Sequence, residues 1–302
     1  MTTGLPPAEY PFPVTVPHRV IPAPRPLGDA PHVLLDNTWP DAVRRRLERL
    51  RTEPEAVLVR DIEDPDDVGV ADALRAAWAL LPTTGPALLG LTVDLEAMTA
   101  EQTGSSTCQE ATDAVVRRTG IDLLTVGWLL CCSDDLVVLR RRDLRGPGVL
   151  TAELLAVAFP SGWPPRHRAG ASLLELHAPV ADGERLQRAA PALSEALLTK
   201  GPYLQYVWGI DPCGRLDNDP TVSYPPEPLR WHLRVERQTS LPLPALQRAL
   251  FTIRPYLVPV DELAPGERLT LADALESMTP AALAYKGVPA DLIGQLREGS
   301  SG

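Results

Sequence analysis

Beyond Gly120 the chain breaks into short apolar runs whose order leaves few folds open. DLVVLRR (Asp135 to Arg141) and LLAVAF (Leu154 to Phe159) have the length and composition of strands, the second closed by Pro160. LLTVGWLLCC (Leu123 to Cys132) fits a strand or a buried helix equally, because periodicity does not separate the two for a continuous apolar run. Two helical stretches come next, the second, GERLQRAAPALSEALLTK, interrupted by Pro191. Three further strands follow. YLQYVWGI (Tyr203 to Ile210) places Leu204, Tyr206, Trp208 and Ile210 on one face, RWHLRVERQT (Arg230 to Thr239) sets Trp231, Leu233 and Val235 against His232, Arg234, Glu236 and Gln238, and ALFTIR (Ala249 to Arg254) ends before Pro255.

Two strands, a helical crossover and three strands is the order of an α+β fold, a PAS-like antiparallel five-stranded sheet with its helices on one face. Such a fold holds a ligand between the sheet and the crossover helices. The core should span residues 121–260. Before it lie an extended, proline-punctuated arm (1–35) and a mostly helical region (36–120) with helical spacing at Asp41 to Arg51, Val70 to Leu81 and Cys108 to Thr119; a helical tail (261–302) closes the chain.

The crossover carries one histidine. Ser172 followed by Glu175 forms a capping box, so a helix should begin after Ser172, and Pro179 should stop it near Ala178. Leu173 and Leu174 precede His177 by four and three residues, so the imidazole shares their face and should point inward. A buried neutral imidazole needs a partner. It is either a core histidine bonded to backbone or a metal ligand, most naturally an axial ligand to haem iron in an apolar pocket. Spacing alone does not choose.

Charge and cysteine usage remove several classes. The net charge of −10 and pI near 5.1, with scattered basic residues, lack the footprint of a nucleic-acid binder. The one basic cluster, Arg140 to Arg145, is interrupted by Asp143 and Leu144 and reads as a solvated strand end. No apolar run reaches about 18 residues and no signal pattern opens the chain, so a cytoplasmic protein with no membrane partner is expected. Cys108, Cys131, Cys132 and Cys213 show no C-x-x-C spacing, which argues against a zinc or iron–sulfur site. Ser161 lacks the flanking glycines of a nucleophile elbow, and Gly104-Ser105-Ser106 lacks the lysine of a phosphate loop.

Taken together, DDLVVL (Asp134 to Leu139), FPSGW (Phe159 to Trp163), LHAPV (Leu176 to Val180), LRVERQT (Leu233 to Thr239), LFTIRPYL (Leu250 to Leu257) and YKG (Tyr285 to Gly287) resemble, in order and separation, the haem-dependent oxidative N-demethylases, whose haem-binding PAS-like domain acts as an oxygenase. The resemblance covers roughly residues 120 to 290. It maps the family's histidine to His177 and so implies the axial-ligand role. The chain departs from the family pattern at Ala181-Asp182-Gly183, where a proline-glycine step is usual, at Arg168, where lysine is usual, and at Gln205-Tyr206-Val207, where only Trp208 of an Arg-x-Asn-Trp element remains.

The resemblance implies haem b, O2 and a small amine-like substrate oxidised with release of formaldehyde. His177 would bind iron as a neutral imidazole whose other nitrogen donates to a carbonyl or carboxylate. Glu236 is the candidate carboxylate, as that partner or as an acid or base, against a simple pairing with Arg234. Arg234 and Arg254, on neighbouring strands, are the candidate propionate contacts, with Arg237 on the opposite face and Trp163 beside the cofactor. His232 is the other histidine that could reach iron, although its strand position favours a hydrogen-bonded role; His18, His32 and His167 should face solvent. With no dinucleotide fingerprint, electrons must come from a separate reductase. The competing readings are a non-catalytic haem-binding or gas-sensing module and a haem-free scaffold subunit.

Overall fold

The computed structural model describes residues 5–19, 24–62, 66–82, 91–94, 99–102, 116–117, 123–142, 149–177, 184–224 and 228–298. Its strands are β1 (Arg25–Pro26), β2 (Leu58–Arg60), β3 (Leu91–Asp94), β4 (Thr99–Gln102), β5 (Asp135–Arg142), β6 (Val149–Ala156), β7 (Tyr203–Asp211), β8 (His232–Leu243) and β9 (Arg248–Pro259). The helices are α1 (Trp39–Thr52), α2 (Pro54–Val57), α3 (Asp67–Trp78), α4 (Leu123–Cys131), α5 (Leu173–His177), α6 (Glu184–Thr199), α7 (Pro265–Glu276), α8 (Pro280–Tyr285) and α9 (Leu292–Glu298). The fold is mixed α+β. The helix expected over Cys108 to Thr119, together with the 104–106 loop, Cys108 and residues 178–183, lies largely outside the described residues.

Where five strands were expected, the main sheet has seven, entirely antiparallel, in the order β1-β7-β8-β9-β5-β6-β2. The five anticipated runs occupy its centre. Two short segments from the N-terminal region extend the edges: β2 pairs with Leu154 to Ala156, and β1, from the arm, pairs with Tyr203 and Leu204. A two- or three-residue strand carries almost no period-2 signal, so these additions were not readable. The remaining pair, β3 with β4, forms a separate hairpin.

Leu123 to Cys132 resolves as helix α4, buried almost throughout, with Trp128 fully enclosed. Helix α6 runs unbroken through Pro191, contrary to the expected interruption. Alternation along β9 sorts the two sheet faces. Leu250, Thr252, Arg254 and Tyr256 face one side, Phe251 and Ile253 the other. On the first side α1, α3 and α4 pack around Trp39, Leu74, Trp128 and Leu136, while α7 and α9 pack at the other end around Leu233, Val235, Leu271 and Leu292. On the second, Leu197 and Leu198 of α6 and Leu173 of α5 cover Val137, Leu150 and Ile253. Helices therefore cover both faces, where a single covered face was expected.

A fully buried ion pair locks α1 to this sheet. Arg46 Nη2 donates to Asp135 Oδ1 at 2.8 Å, and both side chains are 0% exposed. Arg46 Nη1 also donates to the carbonyls of Leu129 (2.7 Å) and Cys132 (2.6 Å), closing the C-terminal end of α4. Asp135 in turn accepts from the amides of Ala158 (3.1 Å) and Phe159 (3.0 Å). Beside it Asp134 is also fully buried, and burial pushes its carboxyl up to about 6 although Arg254, Arg237 and Arg46 act against that shift.

Arg46→Ala or Asp135→Ala should each cost about 3–5 kcal/mol by leaving an unpaired buried charge, and the double substitution should cost less than the sum, as read from denaturant midpoints. For Asp134, the native state holds the proton more tightly than the unfolded chain, so stability is present near pH 4 and is lost as pH rises through 6. Asp134→Asn should therefore be more stable than wild type at pH 7.5 by up to about 3 kcal/mol, an advantage that vanishes as pH falls to 4 in parallel urea titrations.

Candidate functional site

Helix α5 begins as the capping box requires. Ser172 N donates to Glu175 Oε2 (2.7 Å), and Glu175 N donates to Ser172 Oγ (3.2 Å). Only one turn follows within the described residues. Leu173 is 9% exposed and Leu176 is partly buried with Trp163 against α6 and the sheet. Leu174 is 38% exposed, and His177 is exposed as well, so the imidazole does not enter the core as its leucine spacing suggested. The buried stripe of so short a helix is narrow, and Leu173 and Leu176 fill it. The ring is nevertheless fixed: His177 Nδ1 lies 2.7 Å from the Leu173 carbonyl oxygen, which can only accept, so Nδ1 is the donor and, in the neutral ring, Nε2 is the nitrogen with the lone pair. A histidine that ligates metal has this arrangement, with the nonligating nitrogen donating to a carbonyl.

On the same sheet face as α5 and α6, β7 and β8 present Gln205, Val207 and Gly209 directly opposite Gln238, Glu236 and Arg234. Gln205 Nε2 donates to Gln238 Oε1 (2.7 Å), and Gln238 Nε2 donates to Glu236 Oε2 (2.9 Å). The other Glu236 oxygen is 3.7 Å from Arg234 Nε. A Cβ added at Gly209 would meet no atom within 4 Å, so the strip has open space above it.

Arg234 itself is committed elsewhere. It is 3% exposed, and its guanidinium donates to the carbonyls of Phe159 (2.8 Å) and Leu216 (2.9 Å). Arg254 does not share its face. It stands directly across from Arg237, and the two arginines grip the N-terminal segment: Arg254 Nη2 donates to Asp36 (2.7 Å) and Thr38 (2.8 Å), while Arg237 donates to the carbonyls of His32 (2.9 Å) and Pro31. The expected split, Arg234 with Arg254 against Arg237, fails because Arg254 lies at a register position opposite an odd-numbered β8 residue.

His232 is buried with Nδ1 2.7 Å from the Arg230 carbonyl, a hydrogen-bonded histidine. His167 is exposed. His18 and His32, expected in solvent, are half-buried. His32 Nδ1 meets Thr239 Oγ1 at 3.2 Å, and His18 stacks edge-on against Trp208 at 5.1 Å, where burial and then the nearby Lys286 charge lower its pKa to about 4.

A sequence model of the haem-dependent oxidative N-demethylase, alpha subunit-like family matches residues 24–291. The chain belongs to that family. The motifs that carry the resemblance to these demethylases form a few physical junctions. FPSGW is one: the Phe159 amide is held by Asp135, its ring lies 4.7 Å from the Arg46 guanidinium, its carbonyl by Arg234, and Pro160 O and Gly162 N bond the backbone of Asn218. Gly162 adopts φ 72°, a left-handed conformation that costs glycine little. YKG is another. Lys286 Nζ donates to the Trp208 carbonyl (2.7 Å) and sits 5.4 Å from the Trp208 ring, tying α8 to β7. Burial lowers Lys286 to about 8, with Glu236 opposing the shift. The YKG motif marked Lys286 in the sequence, but nothing there assigned its contact with Trp208.

Ser172→Ala should cost about 1 kcal/mol at this cap, and hydrogen exchange at the Glu175 amide should quicken about fivefold with amides of β8 unchanged.

Proposed function

We propose that this demethylase-family chain is a haem-dependent monooxygenase, with haem b bound through His177 on the α5–α6 face of a PAS-like sheet. The observation that carries the reading is the His177 ring, with Nδ1 donating to the Leu173 carbonyl, so that the neutral ring would offer Nε2 as the σ-donor. Among the described residues no group of three or more His, Cys, Asp or Glu side chains could hold a metal ion, whereas haem iron needs only one protein ligand. The central strands, counted from β5 in the order β5, β6, β7, β8, β9, run 3-4-5-1-2 across the sheet, which supports the PAS-like assignment.

Haem, when bound, would supply O2 activation and one-electron chemistry. The chain's own residues would hold and orient. The Leu173 carbonyl keeps His177 in the Nδ1–H tautomer, and Trp163, packed with Leu176 beneath α5, sets the apolar wall next to it. Glu236, kept in place by the Gln238 amide and the Gln205–Gln238 bond, is a carboxylate positioned on the open strip to accept a proton from a small amine-like substrate. It does not touch Arg234 closely enough to be neutralised by a direct hydrogen bond, at 3.7 Å. Arg234 acts through the backbone it anchors, and Arg254 lies on the opposite face and takes no part. Electrons would come from a separate reductase, consistent with a family named for one subunit of an enzyme. Oxidation at the carbon next to nitrogen would release formaldehyde. No described helix is long and apolar enough to cross a membrane; a cytoplasmic location and no nucleic-acid partner remain part of this reading.

Protein expressed with haem precursor should show a Soret band that shifts or is lost in His177→Ala, and should release formaldehyde from secondary amines with a surrogate reductase. No Soret band, also after adding hemin, would sink the reading; haem without oxidation of any amine would favour the sensor alternative.

A further inference from the structure

Of the two lysines in the chain, Lys200 is exposed just past α6, whereas Lys286 is set into the protein. Lys286 ends α8, whose start is fixed by the Ala282 amide on Thr279 Oγ and whose exit turns at Gly287, in the left-handed region at φ 63°. The side chain thus leaves a rigid turn, and its Nζ lies 2.7 Å from the Trp208 carbonyl oxygen and 5.4 Å from the centre of the Trp208 ring. A lysine needed only to hold one carbonyl is ordinarily left with its charge in water. Here burial has brought the ammonium down to about 8, so that a share of the amine carries a free lone pair at ordinary pH.

Three titratable groups face this amine. His18, from the arm, meets the same Trp208 ring edge-on and is neutral at pH 7, held so by burial and by the Lys286 charge. Tyr285 is the neighbour in sequence, and Glu236 of β8 is the carboxylate whose charge acts on both Tyr285 and Lys286. There is also room. Gly209, one peptide bond beyond the Trp208 carbonyl, is partly exposed, and a Cβ there would meet no atom within 4 Å. An amine, a carboxylate and an open space therefore meet on β7 and β8.

Charge selects among the reactions of an amine. Acylation would remove the cation from between the Trp208 ring and Glu236, and a carbamate would put a second anion beside that carboxylate. A protonated imine does neither. It keeps a positive charge on the ring and near Glu236, and one N–H for the Trp208 carbonyl. Space no larger than that above a glycine favours a small carbonyl compound, and an aldehyde carbon is less hindered than that of a ketone.

We propose that Lys286 is a nucleophile that condenses reversibly with small aldehydes, with Glu236 carrying the proton. The neutral amine adds to the carbonyl carbon, forming a C–N bond, while the carbonyl oxygen takes a proton from solvent. The nitrogen gives one proton to Glu236, which returns it to the new hydroxyl. The C–O bond then breaks, water leaves, and the nitrogen lone pair closes the C=N bond of the protonated imine; nothing is oxidised or reduced. The site shares Glu236 with the proposed haem face but needs no haem, so either reading stands or fails alone.

The purified full chain would be treated at pH 7.5 with acetaldehyde and cyanoborohydride, which reduces the imine to a stable ethylamine, and each lysine followed by peptide mass spectrometry. Free amine increases about tenfold for each unit by which a lysine is lowered, so Lys286 should be ethylated at least about tenfold faster than Lys200, which serves as the internal reference. Glu236→Gln separates a proton carrier from a bystander. Glu236 favours the ammonium, so its loss alone would free more amine and quicken labelling, whereas a lost proton carrier should slow Lys286 by at least about tenfold and leave Lys200 unchanged. Labelling of Lys286 no faster than Lys200, or an equal or higher rate in Glu236→Gln, would overturn the proposal. Should Glu236→Gln fail to fold by circular dichroism, Glu236→Asp, which withdraws the carboxylate by one methylene, carries the same comparison.

Discussion

The Arg46–Asp135 pair is the contact on which the rest of the molecule depends. Asp135 opens β5, the strand between β9 and β6, and its two oxygens are divided between a guanidinium from α1 and the amides of Ala158 and Phe159. Arg46 divides its own donors between Asp135 and the carbonyls that end α4. Two charges at 0% exposure are tolerable because both Arg46 Nη atoms and both Asp135 oxygens have partners. Four pieces of the chain are thereby set at fixed distances: α1, α4, the start of β5 and the FPSGW turn. From that turn the constraint passes to the β8 side chain of Arg234 and the 216–218 loop, so the strip carrying Glu236 inherits its position from a pair more than a strand away.

Much of the fold was legible, and for identifiable reasons. Strands five residues or longer with one buried face, such as Tyr203 to Ile210, announce themselves through alternation, and the capping box at Ser172 and Glu175 marks a helix start by local hydrogen bonding alone. The run Leu123 to Cys132 stayed ambiguous because a helix buried on all sides has no polar stripe, and only its length of nine residues and its enclosure settle it. Pro191 was misleading because a single missing amide is a local loss that the long packed face of α6 absorbs. The short edge strands β1 and β2 are tertiary consequences and leave no trace in a window of two or three residues.

The candidate site was less legible. His177 was found, but its exposure was not, because leucines at i−3 and i−4 say which face they share and nothing about how wide the buried stripe is. The arginines were harder still. Parity along β8 separates Arg234 from Arg237, yet the face of Arg254 depends on the register between β8 and β9, which is set by the turn at Pro244 to Gln247 and not by either strand's own pattern. Lys286 and His18 escaped because their partner, Trp208, is reached only after α8 and the arm have been laid against β7.

Arg237 holds the arm at Pro31 and His32 by their carbonyl oxygens, atoms that every amino acid possesses. Recognition through backbone is blind to side-chain identity but strict about spacing: the contact with Arg237 asks nothing of the side chains at 31 and 32, although the His32 ring also meets Thr239, whereas one residue inserted or deleted between there and Asp36 would bring the wrong carbonyls, or the wrong carboxylate, to Arg237 and Arg254. In this family, then, the arm's tempo of change should show in its composition and be nearly frozen in its length.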